Sequence, residues 1–442
     1  MPPTDTDKTL ARRLGLFDAT MIVMGGIIGS GIFMNPQVVA LEVHTPFLIL
    51  GAWTIGGLFA LAAAFIWAEL AALRPDVGGQ YAYLREAFHP AIAFLYGWVL
   101  LLVVQTGGMA AVAVTFSRYF VELTGLPLGY SQLAAIVLAV LTLINCLGVR
   151  AGSTLQSVLM VLKIFAIASL VICGLVFGER VNQSSTLLDR PASFDLLTSF
   201  GAALVPVIFA YGGWQTATFV AGEIKEPRRN LPRGLILGVT GVVLLYLAAN
   251  VVYLIALGTS GLAASAAPAS DVMRRALGDF GARAIAAGIA ISTVGFLSQS
   301  MLTAPRVYFA MAQDGLFFKS VGTVHPRTRA PIVAIALQGL LAIVIAALGT
   351  YEHILNYVVS VDVIFFGLTA CCIFVFRKRA TSRQGVIGVP GHPLTTIAFI
   401  AICWTVAINT VYHSPRNTLI GMAILLAGLP AYWFWRSRSK LK

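Results

Sequence analysis

Long apolar runs recur through this sequence and constrain its fold more than any other feature. A helix needs about 20 apolar residues to cross a bilayer, and only 11% of the 442 residues are charged. About 25% is usual in soluble domains. The sequence therefore predicts an all-α membrane protein with 12 transmembrane helices. The predicted spans are 15–43, 47–72, 88–121, 131–149, 153–178, 196–223, 231–258, 282–312, 330–349, 354–376, 393–413 and 416–435.

Basic residues predict the orientation of these spans. If the N-terminus is cytoplasmic, 22 of the 30 Lys and Arg residues fall in cytoplasmic segments and 7 in the opposite segments. Cytoplasmic loops are enriched in Lys and Arg, so we expect both termini in the cytoplasm. We expect the chain to lie in the inner (plasma) membrane of the cell. Membrane topology also accounts for the net charge of +12, and we expect no nucleic-acid partner.

Histidine and cysteine suggest neither a metal site nor a catalytic one. The six His residues are scattered near span ends, and the five Cys residues lie within apolar runs without metal-ligand spacing. The sequence also lacks a convergent set of nucleophile and base. We therefore expect no metal, no cofactor and no enzymatic activity.

The first apolar run is interrupted by glycines in the segment Met24–Phe33, which reads Met-Gly-Gly-Ile-Ile-Gly-Ser-Gly-Ile-Phe. Each Gly weakens a helix by about 0.5–1 kcal/mol relative to Ala. Irregular backbone at membrane depth is tolerated only where it is buried in protein or lines a cavity. One interpretation is a helix break whose following half offers free amides to an anion. The alternative is that the glycines only allow close helix packing.

A second interruption is predicted in the sixth span. The segment Phe209–Trp214 reads Phe-Ala-Tyr-Gly-Gly-Trp, and Pro206 precedes it by about one turn. Two interrupted helices five spans apart indicate two halves of inverted topology and point to a transporter site. A zwitterion needs donors and acceptors close together, and two helix ends provide both from the backbone.

These motifs resemble those of the amino acid–polyamine–organocation transporters, in particular the L-type amino acid transporter branch. The resemblance also rests on Gly-Gly-Gln-Tyr at 78–81, Pro-Arg-Arg-Asn-Leu-Pro at 227–232 and Ala-Gln-Asp-Gly at 312–315. It implies an inverted five-plus-five fold with discontinuous helices 1 and 6. The expected organisation is a cytoplasmic tail (1–14), a first repeat (15–178), a second, inverted repeat (194–376), two C-terminal helices (393–435) and a cytoplasmic tail (436–442).

The resemblance implies a substrate site at the two breaks. The α-carboxylate is expected at the amides of Ser30 and Gly31 and at the Ser30 hydroxyl, and Gly29 is expected in the same site. The α-ammonium is expected at the carbonyls of Ile27, Phe209 and Gly212. Phe209 resembles the outer gate of the family, an aromatic ring that closes over the substrate. Trp214 and Gln215 are expected at the side-chain end of the pocket.

Lys163 lies near the middle of the fifth span. An unpaired Lys at the bilayer centre costs about 2.5–3.5 kcal/mol even on insertion scales, which favours a functional role. In related sodium-coupled transporters a sodium ion bridges the first and eighth helices. The resemblance implies that Lys163 replaces that ion, so transport should not need sodium.

Other polar residues within the spans have less specific interpretations. Glu69 and Glu223 lie near helix ends, where pairing with Arg or helix capping would explain them. Asp362 in the tenth span either pairs with a polar partner or contacts the transport pathway, and Gln105 either faces the cavity or bridges helices.

The resemblance also implies a substrate class and a mode of assembly. Family members that take dibasic amino acids tend to carry Asp in the sixth-helix break, whereas this chain has Gly212 and Gly213, so we expect neutral substrates. Animal members bind a heavy-chain glycoprotein through a Cys that residues 121–131 lack, so we expect a stand-alone transporter of bacterial type.

We therefore expect a sodium-independent exchanger of neutral L-amino acids that works by alternating access. The alternatives are a proton-coupled symporter of the same fold and, from a different class, a non-transporting amino acid sensor.

Overall fold

The computed structural model describes residues 14–75, 78–146, 152–178, 181, 186–188, 190–325, 330–348, 351–380, 386–413 and 415–440. Residues 1–13 of the predicted N-terminal tail and residues 441–442 of the predicted C-terminal tail lie outside these ranges. Within them the fold is helical and contains no β-strand, and an isolated parallel bridge pairs Leu14 with Ile224. The prediction of an all-α protein is therefore confirmed.

The α-helices are, in chain order, α1 Leu16–Ile27, α2 Gly31–Glu42, α3 Pro46–Leu73, α4 Gln80–Ala87, α5 Pro90–Val99, α6 Gln105–Thr124, α7 Tyr130–Cys146, α8 Gly152–Val176, α9 Phe194–Tyr211, α10 Thr216–Phe219, α11 Pro227–Ala264, α12 Pro268–Thr303, α13 Pro305–Gln313, α14 Ile332–Leu348, α15 Tyr351–Arg379, α16 Leu394–His413 and α17 Pro415–Lys440. A π-helical turn at Leu100–Val104 joins α5 to α6. Several helices begin with Pro, whose fixed φ suits the first turn and whose missing N–H is not needed there.

The helices are long and apolar enough for a multi-pass membrane protein. In the part of the chain that the structure describes, nine helical segments meet the length and hydropathy needed to cross a bilayer. One of them, Leu16–Glu42, contains both α1 and α2, and another, Pro90–Thr124, contains α5 and α6. The shorter apolar helices α7 and α14 add to these. The prediction of a multi-pass membrane protein is confirmed.

Two of these segments contain non-helical residues in their middle. Helix α1 ends at Ile27, Ile28 has extended backbone, and α2 begins at Gly31. Helix α9 ends at Tyr211, and α10 begins only at Thr216. Between α9 and α10, Gly213 has φ of 116°, a conformation that side chains with a Cβ rarely adopt.

The segments Leu16–Glu42 and Phe194–Phe219, which we call the two irregular segments, lie against each other. An added Cβ at Gly26 would lie 2.7 Å from the carbonyl oxygen of Gly213, and one at Gly31 would lie 2.5 Å from Cα of Ala210. No side chain fits at such separations, so the backbones of the two segments are in direct contact. The interpretation of these glycines as close-packing residues is therefore correct for Gly26 and Gly31. It does not exclude a binding role for the same segment.

The surrounding helices enclose this contact. Helix α1 packs against α11, and α2 packs against both α9 and α11. Helix α12 lies between α8 and α6, while α15 packs against α3, α6 and α9. The irregular backbone at 28–30 and 212–215 is therefore surrounded by protein, as irregular backbone in a membrane requires.

Candidate functional site

A cavity lies where the two irregular segments meet. Its walls come from the α1–α2 segment, α6 and the turn that leads into it, the α9–α10 segment, α12 and α15. The lining residues are Gly26, Ile27, Gly29, Ser30, Gly31, Val104, Gln105, Gly108, Val112, Ile208, Phe209, Gly212, Gly213, Gln215, Thr216, Phe296, Ser300, Asp362, Val363 and Phe366.

The fold brings most of the sequence-predicted site residues to this cavity. Those on its wall are Ile27, Gly29, Ser30, Gly31, Phe209, Gly212 and Gln215. Trp214 is the exception, because its fully buried ring packs between neighbouring aromatic rings. The ring centroid of Trp214 lies 4.9 Å from that of Phe366, which does line the cavity, and 6.0 Å from that of Trp67. Trp214 therefore packs against a residue of the cavity wall without lining the cavity itself.

Hydrogen-bond donors are available at the start of α2. The amides of Phe33 and Met34 both donate to the carbonyl of Ser30, at 3.0 and 3.1 Å, and are the first to bond within this helix. The preceding amides, at Gly31 and Ile32, have no intrahelical acceptor because they belong to the first turn. The Ser30 hydroxyl is buried and has no hydrogen-bond partner among the described residues. These groups form a donor site beside the cavity.

Carbonyl groups at the ends of α1 and α9 provide acceptors. The Tyr246 hydroxyl donates to the carbonyl of Ile27 at 3.2 Å, and the Gly212 amide donates to that of Phe209 at 3.2 Å. A carbonyl oxygen has two lone pairs, so each can accept another hydrogen bond. The side chain of Gln215 accepts from the Gly213 amide at 3.1 Å and holds the second irregular segment in place.

Lys163 reaches the end of α1 from α8. Its side chain is fully buried, and its ammonium group lies 3.0 Å from the carbonyl oxygen of Ile28 and 3.5 Å from that of Gly25. An added Cβ at Gly295 on α12 would lie 3.2 Å from Cε of Lys163. The same ammonium is 5.9 Å from the ring centroid of Phe296, on the cavity wall. Lys163 thus lies between the first irregular segment and α12.

Other helices also hold the backbone of the α1–α2 segment. Tyr253 of α11 donates its hydroxyl to the carbonyl of Ile32 at 3.2 Å, and Gln299 of α12 donates to that of Ile22 at 2.8 Å. Side chains thus satisfy carbonyls around the interrupted helix, as required where backbone polar groups are removed from water.

Comparison with known proteins identifies the family. Residues 14–429 match the family described as amino acid permease. The chain belongs to this family.

Several proteins named as transporters are similar to the permease over nearly all of its chain. The serine/threonine exchanger SteT of Bacillus subtilis is 30% identical over 98% of both chains. The large neutral amino acids transporter small subunit 2 of Oryctolagus cuniculus is 30% identical over 98% of this chain and 82% of its own. The human cystine/glutamate transporter is 26% identical over 98% of this chain and 87% of its own. The resemblance to this superfamily and its L-type branch is confirmed.

Sequence reasoning missed several lining residues of the permease. Phe296, Ser300 and Phe366 lie on the wall, but their sequence context does not show which side of a helix faces the cavity. Gln105 and Asp362 had two interpretations each, and both residues line the cavity. The sequence feature that drew attention to both residues is a polar side chain within an apolar run.

Ion pairs link helices of the permease at the end of the bundle that carries Leu14. Glu69 is almost fully buried and accepts from the Arg377 guanidinium at 2.6 and 2.7 Å and from the Val389 amide at 2.8 Å. Glu223 accepts from Arg306 at 2.9 Å. The expectation that Glu69 and Glu223 pair with Arg is therefore confirmed.

Tyr81 adds a neutral link at the same end of the bundle. Its hydroxyl donates to the Asp314 carboxylate at 2.7 Å, and Arg85 forms an ion pair with the same carboxylate. Burial raises the pKa of Tyr81, and the hydrogen bond to Asp314 raises it further. Tyr81 therefore stays protonated at physiological pH and remains a donor. No group of three or more His, Cys, Asp or Glu residues that could hold a metal ion occurs in the described ranges of the permease.

Proposed function

We propose that this permease is a sodium-independent exchanger of neutral L-amino acids that works by alternating access. The observation that carries the proposal is the contact between the two irregular segments at one cavity. A donor end and an acceptor end meet there, as a zwitterionic substrate requires. The names of two relatives, a serine/threonine exchanger and a large neutral amino acids transporter, agree with this class.

In this proposal the substrate binds through backbone groups. Its α-carboxylate accepts hydrogen bonds from the amides at Ser30 and Gly31 and from the Ser30 hydroxyl. Its α-ammonium donates to the carbonyls of Ile27, Phe209 and Gly212. The unpartnered Ser30 hydroxyl supports this orientation, because a buried polar group without a partner is costly unless a ligand satisfies it.

Three side chains complete the site. The half-buried ring of Phe209 closes the cavity over the substrate as a gate. Gln215 holds the α9–α10 segment and faces the substrate side chain, and Trp214 contributes to that end of the pocket by supporting Phe366.

Lys163 takes the place of a sodium ion in the proposed cycle. A monovalent cation bound by carbonyls would join the first irregular segment to α12, and the Lys163 ammonium occupies that position with two carbonyl contacts. Because the cation is covalently part of the chain, no sodium gradient can be coupled through it.

We propose the corresponding topology of twelve spans with cytoplasmic termini in the plasma membrane. The twelve proposed spans are the nine apolar segments together with α7, α14 and α15. Residues 15–178 and 194–376 form the two inverted repeats, and α16 and α17 follow them. The permease works without a heavy-chain partner or a cofactor and has no enzymatic activity.

Uptake of labelled neutral amino acids into proteoliposomes tests the proposal. Vesicles are empty or preloaded with amino acid, with and without sodium, at equal and unequal pH. We expect uptake that requires preloading and does not respond to sodium. Uptake into empty vesicles driven by an inward proton gradient would instead identify a symporter, and binding without any uptake would identify a sensor.

A further inference from the structure

A carboxylate lies on the wall of the cavity. Asp362 is half-buried and lines the cavity together with Val363 and Phe366 from the same helix, α15. Among the lining residues in the described part of the chain, it is the only one with an ionisable carboxyl group. An ionisable group in this position needs a physical explanation, since intramembrane carboxyl groups are costly and are usually functional.

The protein itself does not satisfy this carboxylate. Within the ranges that the structure describes, Asp362 makes neither an ion pair nor a hydrogen bond. The other buried charges differ: Glu69 binds Arg377, and Lys163 binds the carbonyls of Gly25 and Ile28. A carboxyl group removed from water needs polar partners, whether it is ionised or protonated. A ligand bound in the cavity can provide such a partner.

The position of Asp362 indicates which part of a substrate it meets. Both irregular segments, which hold the α-carboxylate and α-ammonium in the proposed function, belong to α1–α2 and α9–α10. Asp362 comes from α15, which contributes no residue to either segment. A ligand held through its backbone groups at the two segments presents its side chain to the remaining walls. Asp362 and Phe366 form part of those walls.

We propose that Asp362 accepts a hydrogen bond from the substrate side chain, so that the cavity selects neutral amino acids whose side chain carries a hydroxyl group. This inference rests on the proposed function and specifies its substrate class. Apolar wall residues such as Val112, Phe296 and Val363 would accept a hydroxyl compound and its methyl isostere about equally well. Gln105, Thr216 and Ser300 add neutral polar side chains to the wall. Asp362 adds the one carboxyl group among the described lining residues, to which only the hydroxyl compound can donate.

Pairs of isosteric amino acids test the proposal directly. Initial rates of L-threonine and L-valine uptake, and of L-serine and L-2-aminobutyrate uptake, are compared in preloaded proteoliposomes. We expect the wild type to favour the hydroxyl member of each pair about tenfold, as the cost of leaving a buried acceptor without a donor implies. In Asp362→Leu the ratio should fall to near one, because threonine uptake drops while valine uptake is retained.

Two further variants provide controls. Asp362→Asn preserves the size of the side chain and removes its charge, and it should give an intermediate ratio because its carbonyl still accepts a hydrogen bond. If Asp362→Leu fails to fold, the test depends on the ratio of threonine to valine uptake in Asp362→Asn, which should be lower than in the wild type. Asp279→Asn makes the same change at a highly exposed residue and should keep the wild-type ratio.

Three outcomes would overturn the proposal. A wild-type ratio near one would show that the side chain is not selected. An equal loss for both members of each pair in Asp362→Leu would assign the carboxylate to the α-ammonium or to folding. Loss of proton-driven uptake with an unchanged ratio would make Asp362 a proton carrier.

A binding measurement separates this proposal from the transport function. Stabilisation of the detergent-solubilised protein against heat is measured with threonine and with valine. If no amino acid is transported but threonine still stabilises the wild type more than valine does, and Asp362→Asn reduces that difference, the substrate class stands and the transport proposal fails. If the wild type transports amino acids but threonine and valine stabilise it equally, the inference about Asp362 fails alone.

Discussion

The ammonium nitrogen of Lys163 lies 3.0 Å from the carbonyl oxygen of Ile28, one residue after helix α1 has ended. Carbonyls at the end of a helix have no amide partner from a following turn. A buried side chain from another helix provides that partner here. The conformation of the first irregular segment therefore depends on a residue more than 130 positions away in the sequence.

Replacement of Lys163 should stop transport. In Lys163→Ala two carbonyls at the end of α1 lose their donor, at a cost of about 1–3 kcal/mol for each buried group left unsatisfied. We expect uptake in proteoliposomes to fall at least tenfold. Lys319→Ala, which removes an exposed Lys, is the control and should transport normally. Wild-type uptake by Lys163→Ala would remove this residue from the mechanism.

Gly26→Ala should destabilise the permease. Its Cβ would lie 2.7 Å from the carbonyl oxygen of Gly213, so the two irregular segments must separate, and overpacking of this kind costs about 1–3 kcal/mol. Gly108→Ala is a matched control, because Gly108 is helical and an added Cβ there meets nothing within 4 Å. Thermal inactivation in detergent should occur at a lower temperature for Gly26→Ala alone. Equal midpoints for the two variants would contradict the close contact.

Phe209→Ala should weaken substrate binding. The ring lines the cavity and is half-buried, and burial of a Phe side chain against a ligand contributes about 1.5–3 kcal/mol. The substrate concentration for half-maximal uptake should rise about tenfold or more. Phe200→Ala, on the same helix and half-buried but not among the lining residues, should leave that concentration unchanged. A similar rise in both variants would indicate a general effect on α9.

The ion pair between Glu69 and Arg377 should contribute to stability mainly through the cost of breaking it. Arg377→Leu leaves the buried carboxylate with the Val389 amide as its one described donor, and loss of one partner of a buried pair costs about 3–5 kcal/mol. Glu69→Gln together with Arg377→Leu removes the unpaired charge and should recover part of that loss.

A control for this prediction comes from an exposed pair. Glu226 and Arg229 are separated by 3.7 Å, and both side chains are more than 60% exposed. Glu226→Gln should leave the midpoint of thermal inactivation unchanged, since exposed pairs contribute little. A large loss in the double variant, equal to that in Arg377→Leu, would show that the packing of Arg377 matters rather than its charge.

The sequence by itself determined the helical class and predicted the places where helices are interrupted. Both follow from local composition, because about 20 apolar residues specify a span, while Gly and Pro weaken a helix wherever they occur. Ser30 and Lys163 could be singled out for the same reason, because each is unusual for its immediate surroundings, whereas Phe209 was singled out by the resemblance to a family.

The tertiary structure alone decided which side chains face the cavity. Trp214 is next to Gly213 in the chain but packs behind Phe366, whereas Asp362 and Ser300 come from distant helices and reach the wall. The side of a helix that faces a cavity depends on its rotation against its neighbours. That rotation is fixed by packing between residues far apart in sequence, which a local pattern in an almost uniformly apolar chain does not encode.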